Sequence, residues 1–298
     1  MRHKRLSAFA LALLLSSSPA LAHSRMSLGG VGNSTPPVPY AGPGNISSFV
    51  MWGGLRAYSF ANMIAGSAAI KLCTASDANG CPDVHVTLGG GLSSADIVSA
   101  GCAAIDTCTV KQIYDQSGGG FAWVQNTEAL RATYNRTCTP QGKPCLVFTR
   151  ASSQMYTVAS VPSISQPFSM TSVVYQNTSL INTYFAATNV SIGSAAGANT
   201  ARIAAGSNLD ASGVTNATLH AIQWTFNNTA CETYVDGAVA SGGSGTCGTG
   251  VPTTSMALGC TVAAGNCFGG RMTEIGMSAG AYSSEVKARL DLNERNYY

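Results

Sequence analysis

Cys102-Ala-Ala-Ile-Asp-Thr-Cys108-Thr-Val-Lys-Gln-Ile-Tyr114-Asp115-Gln116-Ser117-Gly118 joins three local signals in one short stretch. Two close cysteines bracket a loop. An apolar run suited to a strand follows, and the segment ends in Asp-Gln-Ser-Gly, where side-chain oxygens cap nearby backbone N–H groups and glycine tolerates the turn. A cysteine-closed loop that feeds a strand and then a turn implies a β-protein stapled by local disulfides.

Working outward, the same grammar repeats. Strands are expected at 84–88, 109–114, 145–149, 168–175, 183–187, 200–205, 219–226, 231–235, 255–260 and 271–278, separated by Gly, Asn and Ser turns. Leu219 to Phe226, then Asn-Asn-Thr, then Cys231 to Val235 reads as a hairpin, and Asp236-Gly237 as the tight turn after it. Helix is sparse: Leu55 to Phe60, a short helix from Ser94 capped by Ser93 or Ser94, and a closing helix from about Ser283 with Glu285 in its first turn. The fold class expected is all-β, a sandwich with short helices near its start and at the C-terminus. No internal repeat or second domain interrupts residues 48–298, and order is expected from near Phe49.

The first 22 residues read as a secretory signal: a basic start, the apolar run Leu6 to Leu15, and Ala20-Leu-Ala22 as the cleavage site. Residues 23–47, with Pro36, Pro37, Pro39 and Pro43, read as a flexible leader. Three of the 16 basic residues leave with the signal, so 13 cations balance 13 acids in the exported part. That neutrality excludes an electrostatic footprint for nucleic acid or an anionic membrane. No later apolar run is long enough for a membrane helix. The expected protein is soluble, monomeric, and extracellular or periplasmic.

All ten cysteines fall after the signal, as five near-neighbour couples: Cys73/Cys81, Cys102/Cys108, Cys138/Cys145, Cys231/Cys247 and Cys260/Cys267. An even count in an exported chain reads as disulfides, although spacing alone does not fix the connectivity. A zinc site is disfavoured, since there is no Cys-x-x-Cys and the histidines are scattered. No cofactor is expected. Cleavage after Ala22 would leave His23 as an N-terminal residue that could chelate copper with His85 or His220, against the plainer reading of a chance leader residue. The glycine triplets at 89–91 and 118–120 lack the Lys-Ser/Thr and helix of a phosphate loop.

Two sets of segments carry a resemblance. Trp224-Thr-Phe226, Tyr234-Val-Asp-Gly237 and Phe268-Gly-Gly-Arg-Met-Thr-Glu-Ile-Gly-Met277 resemble concanavalin A-like (laminin G-like) jelly rolls. Arg56-Ala-Tyr-Ser59, the Cys102/Cys108 loop and Ile113 to Gly118 resemble, more narrowly, the catalytic domain of α-L-arabinofuranosidase B. The resemblance runs from about Leu55 to the C-terminus. It implies a retaining glycosidase built on two carboxylates about 5–5.5 Å apart. The family's acid/base aspartate would fall in Leu258 to Asn266, and its nucleophile glutamate in Thr200 to Gly206; neither stretch here contains a carboxylate. The family's adjacent cysteine pair is also missing, and Gly-Gly-Phe-Ala-Trp123 stands where His-Gly-Asn-Asp is usual.

Other carboxylates are therefore weighed. Glu232 and Glu274, with Asp210 as an alternative to the second, are the candidate catalytic pair. Asp236 reads as a turn residue. Asp115 is a candidate substrate contact, although a carboxylate in that position more commonly caps its own turn. Trp123 and Tyr184 are candidate sugar-binding surfaces, with Tyr175 and Tyr234 behind them, while Trp224 sits in a core-like run. The expectation is a secreted protein that recognises a polysaccharide without cleaving it, or serves a structural role at the envelope. The alternative is an active α-L-arabinofuranosidase-like hydrolase with displaced carboxylates.

Overall fold

The computed structural model describes residues 40–77, 80–103, 108–177, 180–195 and 199–298. The signal segment, His23 and residues 23–39 of the expected leader lie outside these. Tyr40 to Ser47 are packed, earlier than the expected start of order. Tyr40 donates its hydroxyl to Ala57 O at 2.6 Å, and Pro43–Asn45 forms a 3-10 turn.

Two antiparallel layers face each other. The first runs Ala238–Gly245, Cys231–Val235, Leu219–Phe226, Phe168–Gln176 and Gly270–Ala279. The far edge of Gly270–Ala279 is shared by Cys145–Phe148 and Met51–Gly54. The second runs Asp83–His85, Ala68–Thr74, Cys108–Ile113, Trp123–Val124, Tyr156–Val158, Met256–Leu258, Asn182–Ala187, Val190–Ser194, Thr200–Ala204 and Asn208–Ser212. Thr133–Asn135 joins the layers by pairing with Cys108–Ile113 on one side and Cys145–Phe148 on the other. This is the expected all-β sandwich.

The alternation of Leu219–Phe226 shows why the layers pack. Ile222, Trp224 and Phe226 point into the core, while Ala221 and Gln223 face the opposite side. The core rings come from both layers, with the Tyr184 ring 6.2 Å from Trp224 and 5.1 Å from Phe268. Asp236 and Gly237 both take positive φ (48° and 90°), as the tight turn between Cys231–Val235 and Ala238–Gly245 requires.

Ser283 caps the closing helix Ser284–Tyr297 by accepting from Val286 N. Its buried positions Lys287, Leu290, Asp291 and Glu294 recur at helical spacing and seat it on the outer face of the first layer. The expected helix over 55–60 is displaced. Helix instead runs Phe60–Ala65, because the Ser59 hydroxyl accepts from Asn62 N and starts it there.

All five cysteine couples are disulfides: Cys73–Cys81, Cys102–Cys108, Cys138–Cys145, Cys231–Cys247 and Cys260–Cys267. Among the described residues, one cysteine–carboxylate cluster has metal-like spacing, Cys73, Asp77 and Cys81, and its sulfurs are spent in a disulfide. No helix among the described residues is long and apolar enough to cross a membrane.

Candidate functional site

A cleft of about 790 Å³ opens on the second layer. One side is the hairpin of Asn182–Ala187 and Val190–Ser194, whose turn is Thr188-Asn189. The floor is the end of Thr200–Ala204, running on to Gly206 and Asn208. The other side is Thr261 to Ala263, inside the loop closed by Cys260–Cys267. Register fixes these parts: Asn182–Ala187 pairs with Val190–Ser194 on one edge and Met256–Leu258 on the other, and Ser191 lies opposite Ala204. Gly250 lets the chain pass under the turn, since a β-carbon there would lie 2.3 Å from Asn189 O.

Thr188, Asn189, Ser191 and Asn208 give the cleft hydroxyl and amide groups, and no residue lining it is titratable. It spans the two stretches, Thr200 to Gly206 and Leu258 to Asn266, in which the sequence lacks a carboxylate. Arg202 and Asp210 lie two residue pairs further along the strands, bound to each other at 2.6 and 2.7 Å. Asp210 is thereby held by a guanidinium.

The expected catalytic pair lies elsewhere. Glu232 and Glu274 both face the closing helix, and each has its own cation. Lys287 binds Glu232. Arg56 grips Glu274 through two bonds of 2.7 and 2.9 Å, and the Tyr298 hydroxyl donates to it at 3.0 Å. Glu274 is 2% exposed. Its orientation comes from a bulge: the pairing of Gly270–Ala279 with Phe168–Gln176 slips between Met272 and Glu274. Met272 and Ile275 both enter the core, and Glu274 turns out beneath the helix. Neither acid lines the cleft.

The other candidates are also structural in position. Trp123 is 1% exposed, with its ring 6.1 Å from Phe185, and Tyr184 is 0% exposed, with its hydroxyl donating to Gln176 at 2.8 Å. Neither ring offers a face to a ligand, which corrects the expectation of surface aromatics. Trp224 is core, as its run suggested. Tyr175 is covered by the Arg271 guanidinium, 4.5 Å from its ring centre, and Lys287 lies 5.8 Å from that of Tyr234.

Asp115 accepts from Trp52 N (3.0 Å), Ser117 N (2.9 Å), Ser117 Oγ (2.6 Å) and Phe121 N (3.1 Å). All of its partners belong to the protein, so it ties the turn at 115–121 to the strand Met51–Gly54. Asp115→Ala would strand three backbone N–H groups and is expected to cost about 3 kcal/mol, read as a shifted urea midpoint. A loss below about 0.5 kcal/mol would overturn this role.

His85 is paired with Asp96, 2.9 Å away, and His220 with Asp236, 2.5 Å away. His220 Nε2 also lies 3.1 Å from both Thr215 Oγ1 and Thr215 O. Nδ1 faces the Asp236 carboxylate and Nε2 faces Thr215, so the ring ties the loop at 215 to the turn at Asp236.

Among the described carboxylates, Arg131 holds Asp77 below the usual range through its hydrogen bond, and the His85 backbone N–H does the same for Asp96. Glu128 lines a separate hollow of about 510 Å³, with no second acid. Glu294 is buried under the closing helix and accepts from Thr171 Oγ1 (2.6 Å) and Gln223 Nε2 (2.9 Å). Burial, followed by the charge of Glu274, pushes its pKa well up.

No family model and no curated protein matches the chain in sequence. Solved structures do match. A GH54 α-L-arabinofuranosidase soaked with a cyclic sulfate inhibitor superposes with a TM-score of 0.66 at 14% identity, over 85% of this chain and 64% of that one. The fold is that of the GH54 α-L-arabinofuranosidases. A mutant soaked with 4-nitrophenyl α-L-arabinofuranoside gives 0.65 at 15% identity, and an arabinofuranosidase complexed with arabinofuranosyl-α-1,2-xylobiose gives 0.61 at 15%, both over 85% of this chain and 64% of the other. The chain thus spans just under two thirds of the length of these enzymes. The jelly-roll resemblance read from the sequence holds at the level of fold.

No motif in the sequence marks this cleft directly. Its polar wall comes from short, ordinary stretches such as Thr188-Asn189 that only strand pairing brings opposite the cysteine loop. The usable signal was indirect: the resemblance pointed to 200–206 and 258–266 as neighbours.

Proposed function

We propose that this is an exported carbohydrate-binding β-sandwich that holds an arabinose-containing polysaccharide, such as arabinan or arabinoxylan, in the 790 Å³ cleft without hydrolysing it. One observation carries the reading: the cleft is lined by uncharged residues, hydroxyl and amide side chains among them, and has no carboxylate. Such groups can bind sugar hydroxyls but cannot supply the nucleophile and proton donor that retaining hydrolysis requires. The fold shared with arabinofuranosidases supports the ligand class. Five disulfides support an oxidising compartment outside the cytosol. The protein acts as a monomer.

The test is calorimetry with arabinan and arabinoxylan oligosaccharides, alongside turnover of 4-nitrophenyl α-L-arabinofuranoside. Binding without nitrophenol release is expected. Asn189→Ala with Asn208→Ala should weaken binding by about tenfold or more, as lost hydrogen bonds of about 1 kcal/mol each imply. Nitrophenol release above background would revive the hydrolase. No binding to any glycan would favour the envelope role.

A further inference from the structure

We infer that the loop closed by Cys260–Cys267 is a rigid apolar wall that restricts the cleft to uncharged sugar rings; the inference rests on the proposed function. The loop spends its polar groups on itself. Thr261 Oγ1 donates to Gly265 O at 2.8 Å and accepts from Gly265 N at 2.9 Å. Thr261 N donates to Gly265 O at 3.0 Å, and Ala264 N to Thr261 O at 2.8 Å. Both ends are fixed, since Cys260 and Cys267 are buried at 0% and 5% exposure. Phe268 N also bonds Gly259 O at 2.6 Å across the neck, and Thr183 N bonds Asn266 O at 3.0 Å.

What this loop presents to the cleft is carbon. Val262, at its tip, is 41% exposed, and Ala263 follows it into the lining. Opposite stand Asn189, Ser191 and Asn208, with Thr188, whose hydroxyl is hydrogen-bonded to that of Thr254. The loop side is therefore carbon at its tip, and the opposite side sets these polar groups among Ala187, Val190 and Ala204. A sugar ring has the matching anatomy: C–H groups on one face and hydroxyls around its edge. The methyl wall is not a flat aromatic platform, so it suits a single terminal ring better than a ribbon of stacked pyranoses. Among the residues lining the cleft there is no cation to pair with a carboxylate. A uronate would give up its hydration without a counter-charge, which disfavours acidic sugars.

The closed loop makes the wall a fixed surface. Without the disulfide, the six residues between the cysteines would have to be ordered by the ligand, at its expense in affinity.

The test measures affinity for neutral arabino-oligosaccharides and for oligogalacturonate by calorimetry, with circular dichroism checking the fold. Wild type should bind the neutral ligand and at least tenfold more weakly, or not at all, the acidic one. Val262→Asp should cost tenfold or more, and Val262→Ala a few-fold. Cys260→Ala with Cys267→Ala should cost about tenfold while the spectrum stays native. Wild-type affinity that survives all these changes would sink the wall and leave the proposed function standing. Equal affinity for both ligands would sink the selectivity alone. If wild type binds no arabino-oligosaccharide, the proposed function falls, and the wall with it.

Discussion

Glu294→Gln is expected to make the protein more stable at neutral and alkaline pH and to change it little in acid. The Glu294 carboxyl lies under the closing helix between Thr171 and Gln223, at 0% exposure. Several titratable or charged groups surround it: Glu274 and Arg56 beneath the helix, and Tyr282 at the helix entrance. Arg56 is already committed to Glu274 through both bonds. Glu294 therefore has no cation of its own, and burial first, then Glu274, drives its pKa well above the ordinary carboxyl value. The folded protein holds this proton to higher pH than the unfolded chain does. The stabilisation is complete below the ordinary carboxyl pKa of about 4.3 and is lost as pH rises towards the raised folded value.

Within that window each pH unit costs about 1.4 kcal/mol relative to an uncharged side chain. Glutamine keeps the shape and removes the charge. Its amide group can donate to Thr171 Oγ1 while its oxygen still accepts from Gln223 Nε2. Urea unfolding across pH 4 to 9 should give wild-type and variant curves that meet in acid and separate steadily above it. Parallel curves would show that Glu294 titrates alike in both states.

Arg56→Met should be the most damaging single substitution under the helix, costing about 3–5 kcal/mol at neutral pH, as breaking one side of a buried ion pair does. Both partners are essentially inaccessible, with side-chain exposures of 1% and 0%. Met fills much of the space but leaves Glu274 facing only the Tyr298 hydroxyl. The guanidinium also covers the rings of Tyr297 and Tyr298, at 4.8 and 5.3 Å, and that packing goes too. The companion variant separates charge from packing: Arg56→Met with Glu274→Gln should recover most of the loss, because no unpaired charge remains. A cost below about 1 kcal/mol for Arg56→Met would mean that water reaches Glu274 and the pair is not sealed.

The local part of this fold was readable in the sequence, and the long-range part was not. Cysteine couples, the 219–235 hairpin, the Asp236-Gly237 turn and the Ser283 cap all depend on residues within a few positions of one another. Trp123 looked exposed because it follows a glycine-rich turn. It is buried because Tyr156–Val158 pairs beside it and Phe185 packs on it, from segments far along the chain. Tyr184 misled for the same reason. Glu274 was read as a candidate acid, and its burial beneath the helix was hidden by one extra residue: a strict two-residue period cannot place a side chain beyond a bulge. The absence of carboxylates from 200–206 and 258–266 was legible at once, since absence needs no geometry.

The short reach of the disulfides also shapes how this chain comes to its native state. Their partners are 6, 7, 7, 8 and 16 residues apart, whereas Arg56 must find Glu274 across 218. Loops of about ten residues close in tens of nanoseconds. The native partner is the nearest cysteine in sequence for every cysteine except Cys247, which meets Cys231 first only because Cys260 emerges later. Oxidation can therefore finish on the emerging chain, hairpin by hairpin, with little to reshuffle. The slow event is the arrival of Gly270–Ala279 between Met51–Gly54 and Phe168–Gln176, because strands so distant in sequence must wait for one another. Crosslinks made early and locally leave that search as long as it would be without them.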